Sequence, residues 1–128
     1  MPDIVISEFM DAAAVDSLRA DFDVLYEPDL VNRSDDLVVA LKEVPALIVR
    51  NQTQVRGAVL DAADALKVVG RLGVGLDNID VAACEARGIE VCPATGANAV
   101  SVAEYVVTTV LMLLRGAYQA KHGMVKGE

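Results

Sequence analysis

Short β-branched apolar runs alternate with helical segments along most of the chain. Residues 3–7 (DIVIS), 22–26 (FDVLY), 46–50 (ALIVR), 67–71 (KVVGR) and 89–92 (IEVC) predict five strands. Pro28 ends the second and Pro93 stops the fifth. Four helical segments lie between them. Residues 11–20 are Ala-rich, and residues 34–42 open with an N-cap at Ser34 and two acids in the first turn. Val59 to Ala65 lie in a short helix, and residues 79–87 form a helix closed by Gly88 as a left-handed cap. Strands this apolar cannot face water. Five strands alternating with four helices therefore predict a parallel sheet with helices on both faces.

The predicted architecture is one flavodoxin-like α/β domain over residues 1–98. The stretch 99–128 differs. Ser101 and Glu104 form an S-x-x-E capping box, which predicts a long helix starting near Ser101. Behind it, the apolar residues of 100–114 (VSVAEYVVTTVLMLL) run around most of the helix. A helix apolar all round must be buried on all sides. The five-strand unit before it is already complete, so this helix calls for a second domain, a second subunit or both. Its 15 residues include Glu104, Thr108 and Thr109 and fall short of the roughly 20 that a bilayer demands, so a helix buried against protein is expected and not a membrane span. The sequence stops at Gly127 and Glu128 just after this helix turns polar, which predicts a piece of a longer polypeptide.

Composition narrows the function classes. Apolar residues make up 54% and charged residues 23%, which excludes intrinsic disorder. The net charge of −8 repels phosphate backbones and weighs against nucleic-acid binding. The N-terminus has no basic region followed by a long apolar run, so a cytoplasmic protein is expected. Cys84 and Cys92 are the two cysteines; they make no zinc-ligand cluster or redox pair and are expected to be buried and inert. No metal site and no Ser-His-Asp set is visible. His122, the single histidine, reads as solvated, and Tyr105, Met10, Met112 and Met124 read as packing residues.

In an open parallel sheet, ligands bind beyond the C-terminal ends of the strands. Three such ends carry candidates. The third strand ends in Arg50-Asn51-Gln52-Thr53, where Arg50 is either a surface charge or a clamp for a carboxylate or phosphate. The fourth leads into Gly73-Val74-Gly75-Leu76-Asp77-Asn78. That loop lacks the third glycine of a dinucleotide fingerprint, and Asp77 would oppose a pyrophosphate. Two glycines around Val74 do let backbone amides approach a small carboxylate. Spacing alone leaves a ligand site and a plain strand-to-helix turn both open. The fifth strand leads to Asn98, which also suits a simple loop end.

Residues 67–115 resemble the D-isomer-specific 2-hydroxyacid dehydrogenases, and most of all their phosphoglycerate dehydrogenase branch. The resemblance is carried by VVGR-x-GVG-x-DNID, by GI-x-V and by the Asn-x-x-Ser-VAEY run that opens the long helix. Ile48-Val49-Arg50-Asn51 is similar to that branch's third-strand end, and Ile6 to Asp11 resembles the related sulfolactate dehydrogenases. The likeness is dense over 46–115 and looser over 1–45. It implies that this chain is the first, substrate-binding part of a longer enzyme. The long helix would cross into a Rossmann domain that binds NAD and forms a homodimer. The substrate would be a small 2-hydroxy or 2-oxo acid, exchanging a hydride with NAD. The amides of Gly73, Val74 and Gly75 would hold the substrate carboxylate, and Val74 would also lie against the nicotinamide. Asn98 would orient the substrate near the cofactor, and Arg50 would hold the far end of a charged one. The family's catalytic arginine, glutamate and histidine, its GxGxxG loop and its ribose-reading acid are absent from these residues. The 128-residue chain is therefore expected to be inactive alone.

Two other classes compete. A phosphoryl-accepting receiver domain would have the same length, acidity and βα rhythm, but it needs an aspartate where Arg50 and Asn51 stand. A stand-alone binding module derived from the dehydrogenase domain would have to cover the last helix, most simply by self-association.

Overall fold

The computed structural model describes residues 1–116, 125 and 127. Contacts divide the chain into two compact units, Met1–Thr95 and Gly96–Glu128. The first unit holds the sheet: β1 (Ile4–Ile6), β2 (Val24–Tyr26), β3 (Ala46–Val49), β4 (Val68–Arg71) and β5 (Glu90–Pro93). All pairings are parallel, in the order β2-β1-β3-β4-β5. The helices of this unit are α1 (Ala12–Arg19), α2 (Ser34–Ala40), α3 (Ala58–Asp61) and α4 (Val81–Ala86).

Strand order dictates which face each helix covers. Parallel crossovers are right-handed, so steps in opposite directions along the sheet put their helices on opposite faces. The step from β1 to β2 runs one way and the three later steps run the other. Accordingly α1 packs Val15 and Leu18 on the face of Ile4, Ile6 and Ile48. Leu37, Leu60 and Cys84, from α2, α3 and α4, bury the opposite face with Val5, Leu47, Val49 and Val69. This second layer is the main core, where each fully covered aliphatic side chain contributes about 1.5–3 kcal/mol.

Several sequence expectations need correction. Ser34 is the first residue of α2 and not its cap; the cap residue is Arg33, whose carbonyl accepts from Leu37 and whose guanidinium holds Glu27 and Asp36. Pro28 ends β2 but also opens a one-turn 3₁₀ helix, Pro28–Asn32, that seats Leu30 in the core. The third helix stops at Asp61, and the chain continues through turns that bury Ala63 and Leu66. Pro93 lies within β5. The strand is at the sheet edge and the Ala94 N–H donates to Arg71, so the proline's missing donor faces away from β4. Cys84 is buried as expected, but Cys92 is exposed. It shares a sheet face with Glu90 and Gly70, toward the side away from β2, β1 and β3, where α1 packs.

The second unit contains α5, Ala99–Leu114. It starts earlier than the capping box requires, because Asn98 is the cap residue and its carbonyl accepts from Val102. Ser101 is then already the third helical residue, so no capping box forms. None of α5's residues is buried, and Tyr105, expected to pack, is exposed. No helix among the described residues is long and apolar enough to cross a membrane. His122 and Met124 lie outside the described residues.

Candidate functional site

The C-terminal ends of β1, β3 and β4 meet at the edge where the strand order reverses. Such a switch point opens a crevice between the loops that leave the sheet to opposite sides. Here the crevice between β1 and β3 is closed by the protein's own carboxylate. Glu8, two residues past β1, is only 4% exposed. Its Oε1 accepts from the N–H groups of Arg50 and Thr53, both at 2.9 Å. Its Oε2 accepts from Asn51 at 3.2 Å, and the Gln52 N–H reaches both oxygens at 3.3 and 3.1 Å. Burial alone would raise this carboxyl's pKa. The Thr53 and Arg50 N–H groups, the Thr53 hydroxyl and the Gln52 N–H outweigh it and hold the pKa below the ordinary value. Ser7 adds a buried hydroxyl contact to Thr53 at 3.0 Å.

The β3 loop is tied from its other side by Asn78. This buried amide donates to the Thr53 carbonyl at 2.8 Å and to the Arg50 carbonyl at 3.4 Å. Val55 and Asn78 are joined by a 2.9 Å backbone bond, part of a short parallel bridge between Val55 and Ile79. The Arg50 backbone is thus fastened through its N–H and its carbonyl, while its side chain is exposed. That side chain lines two clefts. One, of about 230 Å³, includes Glu8, Phe9, Asn51 and Gln52. The other, of about 350 Å³, includes Phe9, Met10, Asp11 and Leu72. Phe9 borders both and is 65% exposed.

The glycine turn begins one residue beyond Leu72, whose N–H donates to Val49 at 2.8 Å and so joins the β3 and β4 ends. Gly73 has φ +145°, a conformation that L side chains rarely adopt. Its N–H is engaged by the Arg71 carbonyl at 2.8 Å. The N–H groups of Val74 and Gly75 have no acceptor among the described residues, and the Val74 side chain is exposed. The Arg71 guanidinium lies against this turn, where a Cβ on Gly73 would collide with it. Its Nε is buried and has no hydrogen-bond partner, while one terminal nitrogen donates to the Leu72 carbonyl at 3.3 Å. Neither Arg50 nor Arg71 has a carboxylate partner among the described residues.

The sheet therefore brings Arg50 together with the 73–75 turn, at the ends of neighbouring strands. Asn98 belongs to the second unit, as the cap residue of α5. Among the described residues no group of acids, histidines and cysteines could hold a metal ion. Sequence pattern alone missed Glu8, Arg71 and Asn78. Glu8 and Asn78 are polar residues in the loops that follow β1 and β4, and Arg71 is the charged last residue of β4. In the sequence Asn78 stands out only as the residue that breaks a glycine fingerprint.

The family model for the D-isomer specific 2-hydroxyacid dehydrogenase catalytic domain matches residues 4–125. The chain belongs to this family. Among its relatives, the (S)-sulfolactate dehydrogenase of Chromohalobacter salexigens is 52% identical over 128 residues, covering the whole of this chain and 41% of the relative. The D-3-phosphoglycerate dehydrogenase of Archaeoglobus fulgidus is 34% identical over 125 residues, covering 98% of this chain and 24% of the relative. The crystal structure of the PH0520 protein from Pyrococcus horikoshii superposes with a TM-score of 0.85 at 27% identity, covering all of this chain and 38% of that one. The chain spans well under half the length of these relatives.

Proposed function

We propose that these residues are the substrate-binding part of an NAD-dependent dehydrogenase acting on a small D-2-hydroxy acid with an anionic tail, such as a sulfonate or phosphate. The observation that carries this reading is the pair of guanidinium groups, Arg50 and Arg71, at the ends of adjacent strands and without carboxylate partners among the described residues. In a protein of net charge −8, unpaired cations beside free backbone amides favour an anionic ligand. The 52% identity to a sulfolactate dehydrogenase supports the same substrate class.

The Val74 and Gly75 amides would take the substrate carboxylate, and the Arg50 side chain would take the tail in the cleft beside Phe9. Asn98 would orient the substrate from the start of α5. Val74 is an exposed apolar side chain on the glycine turn, which fits the nicotinamide end of NAD. The described residues hold no glycine-rich phosphate loop for the rest of the cofactor. When bound, NAD supplies the hydride acceptor. The proton of the substrate hydroxyl needs a base as well. Glu8 cannot serve, because its carboxylate is buried and engaged by four amides. The base and the phosphate loop would come from a Rossmann domain reached through α5, whose apolar surface would also join a second copy. Residues 1–98 would be the substrate domain and 99–128 the connection.

The test is an assay for NAD-linked oxidation of 2-hydroxy acids bearing sulfonate, phosphate or uncharged tails. It would compare the 128-residue chain with the complete polypeptide that carries it. Turnover by the complete polypeptide, fastest with an anionic tail, and none by the chain alone are expected. A complete polypeptide that turns over none of them would overturn the proposal and favour a non-catalytic binding module.

A further inference from the structure

We propose that Glu8 is a positioning residue for substrate selection: it sets where the Arg50 guanidinium stands, through the four consecutive amides it binds. This inference rests on the reading of Arg50 as the residue that holds the substrate tail. Successive backbone N–H groups at a strand end make a nest that binds an anion. Here the amides of residues 50–53 are filled from within the chain, so this nest is not the substrate site. What it provides is rigidity. The nest fixes the N–H of Arg50, and Asn78 fixes its carbonyl. The side chain projects from a backbone held on both sides, into clefts shared with Phe9, the residue directly after Glu8. β1 and β3 are hydrogen-bonded neighbours, so the carboxylate spans the two strands on either side of the switch point.

Chemistry distinguishes this role from plain bulk. Both Glu8 oxygens accept, and each serves at least two N–H groups. In Glu8→Gln one oxygen becomes an NH₂ that faces donors, so part of the nest loses its acceptor while volume is kept. Glu8→Asp keeps both acceptors and the charge on a shorter stem. The backbone at 50–53 then shifts, and Arg50 with it.

The experiment measures KM and kcat of the complete NAD-linked enzyme for one anionic-tail and one uncharged-tail 2-hydroxy acid, in wild type, Glu8→Gln, Glu8→Asp and Arg50→Ala. Glu8→Gln is expected to raise KM for the anionic substrate about tenfold, inside the ~100-fold that a 1 Å misplacement can cost. KM for the uncharged substrate should stay close to wild type, and Glu8→Asp should recover part of the loss. A purely structural role would lower the melting temperature and active fraction for both substrates without changing their KM ratio; that result would overturn the proposal. If Glu8→Gln does not fold, the same ratio in Glu8→Asp decides. An unchanged ratio in Arg50→Ala would instead overturn the reading of Arg50, whereas a changed ratio in Arg50→Ala with none in either Glu8 variant would overturn the role of Glu8 alone.

Discussion

Asn78→Ala would strip a donor from the buried Thr53 carbonyl and release the Arg50 carbonyl. Leaving such groups unpaired costs about 1–3 kcal/mol, read as a lower urea midpoint at unchanged slope. A midpoint within error of wild type would contradict a stabilising role for these two hydrogen bonds. Glu8 adds a pH dependence. Its folded pKa lies below the ordinary carboxyl value, so the unfolded chain binds the proton first as pH falls. The stability it contributes is complete above the unfolded pKa and is lost as pH drops through the folded one, from about pH 5 downward. Unfolding midpoints measured between neutral pH and pH 3 should fall less steeply in Glu8→Gln than in wild type; equal slopes would contradict the assignment. Residues were the least legible scale. Arg50 and the glycine pair stand out by position after a strand, but Glu8 and Asn78 act through loops distant in sequence. Their partners, Thr53 and Arg50, are separated from them by 45 and 25 or more positions.

Elements were far more legible. The five strands announce themselves because each must be apolar to lie in a covered parallel sheet, and all five appear within a residue or two of their expected bounds. Helix starts were harder. At α2 and α5 the first backbone bonds come from Arg33 and Asn98, residues whose side chains make no cap bond, so side-chain cap rules misplace both starts. Pro93 misled for the opposite reason: a proline breaks a central strand, but β5 is an edge. The exposed apolar surface of α5 has a physical consequence. Val106, Leu113 and Leu114 stand more than half exposed, and a patch of this kind drives association. Light scattering of the 128-residue chain at tens of micromolar should report a mass above that of one chain, and Val106→Glu combined with Leu113→Glu should return it to the monomer. A monomer without any substitution would contradict a partner-seeking role for α5.

For the molecule as a whole, charge and topology converge. Among the described residues of this acidic chain, two guanidinium groups without a carboxylate partner lie at one end of the sheet, beside a turn whose Val74 and Gly75 amides have no hydrogen-bond acceptor. Sequence periodicity points to the α/β class but not to which face α1 covers, opposite α2, α3 and α4. That follows from strand order, which is set by long-range pairing. The central claim is that this edge holds the anionic tail of a 2-hydroxy acid through Arg50. The most direct measurement compares kcat/KM for sulfonate- or phosphate-tailed and uncharged-tailed 2-hydroxy acids in wild-type and Arg50→Ala forms of the complete enzyme. A lost charge-assisted hydrogen bond of about 1.5–3 kcal/mol corresponds to a drop of roughly 10- to 150-fold, expected for the anionic substrate only. An equal drop for both substrates, or none for either, would contradict the assignment of this edge to the substrate tail.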